Sequence, residues 1–272
     1  MEELTITISI IALMVSISSF QWNKAQHNLQ QLQDNAKKFC DSLEEFVALG
    51  TEHHLTLFKF EIENLYIIEN KEKKNLAYNN LQVVFSERKD NCQKKHKELI
   101  ESLYFFELQG LFNDNELMKW LNATLNDYYL KLNQFYGDLF DLNIIVREAK
   151  EGLLTKERKQ FVDSFFDNIR DLLDYGVAFT VLKRDIGGYF AKLSLADVGL
   201  FGNTKKALTK IENVIIKFIK EFGFDEAIKD KNYAKIKKHC LDFGDGYDEF
   251  VKEERKDFFK FLNEVKHMKT GF

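Results

Sequence analysis

From Leu4 to Phe20 the chain reads LTITISIIALMVSISSF, seventeen residues without a charge in a sequence that is densely charged elsewhere. Extended to Trp22, the run approaches the ~20 apolar residues that cross a hydrocarbon core of about 30 Å. It predicts a transmembrane helix over residues 1–22. A secretory signal fits poorly, because Glu2 and Glu3 stand where a basic region belongs and Ser18-Ser19-Phe20-Gln21-Trp22 makes a poor cleavage site. The competing reading is a helix buried in a protein or oligomer core.

Within this run Thr5, Ser9, Ala12, Ser16, Ser19 and Asn23 recur at alternating spacings of four and three. At ~100° per residue they share one stripe, with Ile6, Ile10, Leu13, Met14 and Ile17 elsewhere around the helix. Small and hydroxyl side chains on one face let membrane helices approach closely and hydrogen-bond across the contact. The stripe is therefore a candidate oligomer interface or pore lining.

The pattern then changes to amphipathic. Leu29, Leu32, Ala36, Phe39, Leu43 and Phe46 repeat at three and four, a seam for a short coiled coil or for packing on the chain's own body. Gln26, His27, Asn28, Gln30, Gln31 and Gln33 face the other way. With no proline and no glycine before Gly50, one helix is predicted from about residue 3 to 49, a rod of roughly 70 Å. Residues 23–50 form its juxtamembrane part.

Further along, Leu55–Ile68 alternates locally like a strand but also carries a helical face, and is read as helix. A long helix is predicted from Lys71 to Gln109, ended by Gly110. The next is capped by Asn113-Asp114-Asn115 and bears Leu117, Leu121, Leu125, Tyr128, Leu132, Phe135, Leu139, Leu142 and Val146. Gly152 closes it, and Thr155 caps a helix carrying Phe161, Phe165, Ile169, Leu172 and Leu173. Gly176, Gly187, Gly188, Gly199 and Gly202 then cluster among apolar residues, which predicts a glycine-rich loop and candidate partner site. Beyond it come a helix on Leu208, Ile211, Ile215, Phe218 and Ile219, then a Lys-rich helix. A last helix runs from about Asp248 to Met268, after a break capped by Asp245 or Asp248. The expected fold is all-α: a single transmembrane helix continuing into a long helix, followed by a helical-bundle domain over 51–272, with a sub-boundary near 202.

Composition reinforces the class. There are no prolines and 26 phenylalanines, which suits long uninterrupted helices around a large core. The abundance of Lys, Asn, Ile and Phe reads as the bias of an AT-rich bacterial genome or mobile element. A net charge of −4 argues against a globally basic nucleic-acid binder. Cys40, Cys92 and Cys240 are scattered, with no CxxC pair, which fits a reducing cytoplasm and no disulfide framework or paired-cysteine zinc site. Lys24, Lys37 and Lys38 follow the apolar run, so the positive-inside rule places the C-terminal body in the cytoplasm of a single-pass cell-membrane protein.

Chemical motifs are sparse. Asp242-Phe243-Gly244 matches a kinase tripeptide, yet the nucleotide-loop and Ala-Pro-Glu elements are missing. Asp242, Asp245, Asp248 and Glu249 lack the EF-hand spacing. HEPN ribonucleases pair an Arg with a more closely spaced His, whereas seven residues (KDNCQKK) separate Arg88 from His96. Lys235, Lys237 and Lys238 offer a candidate contact for anionic lipid or RNA, with a solvated face as the plainer reading. No cofactor, metal or catalytic residue is expected. In architecture alone the chain looks like the single-span helical accessory proteins of bacterial antiphage (antiviral defence) systems. The expected function is a non-enzymatic, membrane-anchored interaction protein that self-associates through its N-terminal helix, in one form as a pore-forming or membrane-perturbing effector. The other readings are a membrane-tethered, degenerate HEPN-like RNA-binding protein or nuclease, and a passive scaffold or tether. The expected partners are the lipid bilayer, further copies of the chain and a protein partner.

Overall fold

The structure, a computed structural model, describes residues 2–51, 71–108, 115–198, 205–221 and 234–265. Among these residues there are helices and no strand, as the three-and-four periodicities predict. In chain order they are α1 (Glu2–Thr51), α2 (Lys71–Leu108), α3 (Asn115–Lys150), α4 (Lys156–Ala191), the short α5 (Leu195–Val198), α6 (Lys205–Glu221) and α7 (Ala234–Val265). The expected helix over Leu55–Ile68, the Gly110 stop and the Asn113-Asp114 cap lie outside the described residues, as do Gly199, Gly202 and the Lys-rich stretch before Ala234.

One continuous cluster of buried side chains draws on every one of these helices, from Leu32 in α1 to Val265 in α7. Helix α4 is central to it, packing on α1, α3, α6 and α7. Its buried face, which includes Phe165, Ile169, Leu172, Tyr175, Phe179, Leu182, Ile186 and Phe190, advances by threes and fours throughout.

The turn between α3 and α4 shows why the chain reverses there. Gly152 adopts φ 74°, the left-handed conformation that costs a residue with Cβ about 1–2 kcal/mol. Its N–H donates to the Ala149 carbonyl at 3.1 Å and that of Leu153 to the Glu148 carbonyl at 2.8 Å, the paired bonds of a Schellman stop. Three residues on, the Thr155 hydroxyl accepts from the Arg158 N–H at 3.3 Å. The Arg158 guanidinium then grips both oxygens of Glu148 at 2.9 and 3.1 Å, closing the hairpin.

Two expectations are corrected. The first is the loop beginning at Gly176: Gly176, Gly187 and Gly188 lie within α4, which runs unbroken to Ala191. Each interior glycine costs about 1 kcal/mol, but Phe179, Leu182, Ile186 and Phe190 are all nearly fully buried on the same face. That burial, worth about 1.5–3 kcal/mol per side chain, outweighs the glycine cost. The second is the helix break at Asp245 or Asp248, which does not occur. α7 is continuous from Ala234 through Gly244 and Gly246 to Val265, held at its C-terminal end by buried Val251, Phe258, Phe261 and Leu262. Lys235, Lys237 and Lys238 thus fall at the start of this one helix; their side chains lie outside the described residues.

Candidate membrane anchor and its seat in the body

α1 is a single helix with two different surfaces. Ile6, Ile8, Ile10, Ile11, Leu13, Met14, Val15, Ile17 and Phe20 are all 48–70% exposed. They cover about two-thirds of the helix circumference at ~100° per residue and leave open only the arc of the small-residue stripe, so the exposed apolar surface is a sleeve with one small-residue seam. Soluble monomers rarely expose apolar patches beyond a few hundred Å². Among the described residues α1 is the one helix long and apolar enough to cross a membrane.

The change comes within two turns. Trp22, Asn23 and Lys24 are still exposed, but Ala25, five residues beyond Phe20, is 1% exposed. From there the seam goes inward: Leu32, Ala36, Phe39, Leu43 and Phe46 are buried and Leu29 is partly buried against them. Their destination is the chain's own core.

Polar contacts fix the register. α4 runs antiparallel to α1: Glu44 pairs with Lys183, the Cys40 thiol points at the Lys183 carbonyl, and the Gln33 amide reaches the Phe190 and Leu193 carbonyls at 3.4 Å. α3 clamps the other end. The Tyr128 hydroxyl donates to the Val47 carbonyl at 3.1 Å and that of Tyr136 to the Leu49 carbonyl at 3.2 Å, so α3 holds α1 by two carbonyls close to Thr51. Gly50 sits directly over the Tyr128 ring; a Cβ there would overlap its hydroxyl and stand 3.0 Å from Cζ. Neither the Gln33 bonds nor the Gly50–Tyr128 contact follows from periodicity, since both depend on tertiary register.

The stripe residues Ser9, Ala12, Ser16, Ser19 and Asn23 all lie on the exposed part of α1. The Thr5 backbone is helical and its side chain is outside the described residues. The Ser16 hydroxyl donates to the Ala12 carbonyl at 2.8 Å, so its polar demand is met within the helix.

His96 packs where α1, α2 and α3 meet. Its ring stacks on Tyr129 at 4.3 Å, with Phe46 at 5.6 Å, and its Nε2 is enclosed without a hydrogen-bond partner. Burial pushes its pKa below the ordinary value, partly offset by a hydrogen bond to Asn126. The folded state therefore favours the neutral imidazole. Stability should fall as pH drops through the unfolded-state value near ~6.5, and stop falling below the depressed folded value. Urea midpoints at pH 7.5 and pH 5 should differ less in His96→Gln than in the unsubstituted chain; an unchanged difference would assign the acid sensitivity elsewhere.

Burial also pushes the Cys40 thiol up to about 11 and the Cys92 thiol up to about 12. Both stay protonated at neutral pH and are poor nucleophiles or ligands. Among the described residues no three His, Cys, Asp or Glu side chains gather as a metal site would require. No protein-family model, curated protein or solved structure matches the chain.

Proposed function

We propose that the chain is a single-pass membrane protein whose N-terminal helix anchors a cytoplasmic helical bundle and brings copies of it together. The observation that carries this reading is the apolar sleeve from Ile6 to Phe20 on the same helix whose next part is buried in the body. Burying a large apolar side chain is worth about 1.5–3 kcal/mol. Leaving nine of them in water forfeits a sum comparable with the whole stability of a domain, roughly 5–15 kcal/mol. A single partner helix covers one side of such a sleeve, whereas hydrocarbon covers all of it. Orientation follows from Lys24, Lys37 and Lys38 beyond the span, against Glu2 and Glu3 before it.

Self-association uses the Ser9–Ala12–Ser16–Ser19 face. An internally satisfied hydroxyl such as Ser16 can lie against a second helix with no unmet polar group, which favours a packed seam over a wet pore. The body then works by interaction and not by catalysis. The nuclease reading draws no support from His96, whose ring is stacked in the interior.

Oxidative crosslinking in membranes tests the seam. Ser9→Cys and Ser16→Cys should give disulfide dimers well above the level of the unsubstituted chain. Ile10→Cys and Met14→Cys, on the far side, should not. Equal crosslinking at all four positions would remove the seam.

A further inference from the structure

At the lower edge of the sleeve a recess of about 400 Å³ opens on α1, and its described lining is Ser16, Ile17, Phe20, Gln21 and Lys24. These residues lie at i, i+1, i+4, i+5 and i+8, a face that shares Ser16 with the small-residue stripe and is centred roughly 90° around from it. Polarity is graded along that face. Ile17 and Phe20 are exposed apolar side chains, Gln21 follows as a neutral amide, and Lys24 ends the face as an exposed cation. The body begins one residue later, at buried Ala25.

The axial distances match an interface. Lys24 lies about 6 Å beyond Phe20 along the axis at 1.5 Å per residue. Headgroup regions add about 5–8 Å to each side of the hydrocarbon core. With Phe20 at the hydrocarbon edge, Lys24 falls at phosphate depth, Gln21 between the two and close to that edge, and Ile17 at acyl depth. Cavities of ~300–1,000 Å³ hold small ligands, and the rest of a lipid's chains would continue into the bilayer.

We infer that this recess is a binding site for one anionic phospholipid, its phosphate against Lys24, its ester region beside Gln21 and its upper acyl chain along Ile17 and Phe20. The inference rests on the membrane reading above. The occupant is a lipid and not a free phosphate because Ile17 and Phe20 in the lining are apolar and continuous with the sleeve.

Native mass spectrometry of the full chain in detergent tests it, with phosphatidylglycerol, phosphatidylcholine or glycerol phosphate added as probe. One phosphatidylglycerol per chain should be retained in preference to phosphatidylcholine, by about five-fold, the factor a lysine contributes near an anionic surface. Lys24→Glu should abolish the preference, and Phe20→Ser should lower retention of both lipids. Lys37→Glu, an exposed lysine farther along α1, should change neither. Equal retention of the two lipids, or a preference that survives Lys24→Glu, would overturn the site, as would competition by glycerol phosphate. Carbonate extraction of the same chain from membranes separates the two readings. A chain that resists extraction but shows no lipid preference loses only the site, and a chain that is extracted loses both.

Discussion

Placing Asp at Ile10 and Arg at Leu13 together should release the chain from membranes while leaving its body folded. On the insertion scale an Asp or Arg near the centre of a span costs about 2.5–3.5 kcal/mol. The pair therefore costs roughly 5–7 kcal/mol, and the Ser and Thr content of the span leaves a narrow margin to absorb it. Carbonate extraction should move the variant from pellet to supernatant, where the unsubstituted chain stays in the pellet. Both positions are more than half exposed, so the soluble variant should keep the helical circular-dichroism signal and cooperative melt of the parent. Retention of the variant in the pellet would sink the anchor. Loss of the melt would instead show that the sleeve belongs to a protein core.

Gly50→Ala should destabilise the body, although the same exchange in an exposed helix gains about 1 kcal/mol. The reversed sign comes from Tyr128, which is fully buried and makes edge contacts with Phe46 at 5.2 Å and Phe179 at 5.6 Å. The ring has no free direction in which to yield. Overpacking costs about 1–3 kcal/mol, and displacing the hydroxyl loses its hydrogen bond to the Val47 carbonyl for about 1 kcal/mol more. A net loss of about 2 kcal/mol lowers Tm by roughly 4–8 °C in a chain of this size. Tyr128→Phe alone should cost about 1 kcal/mol by losing the hydrogen bond. In the double variant Gly50→Ala/Tyr128→Phe the overlap with the hydroxyl disappears, so the combined loss should fall short of the sum by at least about 1 kcal/mol. Strict additivity would show that the two residues do not meet.

The periodic parts of this architecture could be read in the sequence because burial and spacing agree there. Leu32, Ala36, Phe39, Leu43 and Phe46 announce a buried face, and Thr155 and Gly152 announce a start and a stop, each by a local rule. The errors occurred where two local signals competed. Around Gly176, Gly187 and Gly188, glycine spacing suggested a loop while Phe179, Leu182, Ile186 and Phe190 kept the helical period, and the period prevailed. In α7, Asp245 and Asp248 suggested a helix cap and hence a break, but without a proline nothing forced one. The contacts that fix register were not legible at all. Gln33 with Phe190, and Gly50 with Tyr128, join residues 157 and 78 positions apart, and no single-helix pattern encodes them. The polarity gradient from Ile17 to Lys24 was legible only as a list of residues, until the buried Ala25 showed where the body begins.

The unbroken course of α1 has a mechanical consequence. With no proline or glycine between Phe20 and Gly50, nothing along that length can serve as a universal joint. Helix kinks have identifiable chemical causes, and the commonest are absent here. About 30 residues at 1.5 Å each make a lever arm of roughly 45 Å, so a 10° change in the inclination of the outer end swings the Gly50 end by about 8 Å. Tyr128 and Tyr136 hold that end by its carbonyls, and the body must turn with it. In the membrane-anchored form proposed above, a change in bilayer thickness, which alters helix inclination, would thus be delivered to the body as rotation of a rigid object, without any hinge to dissipate it.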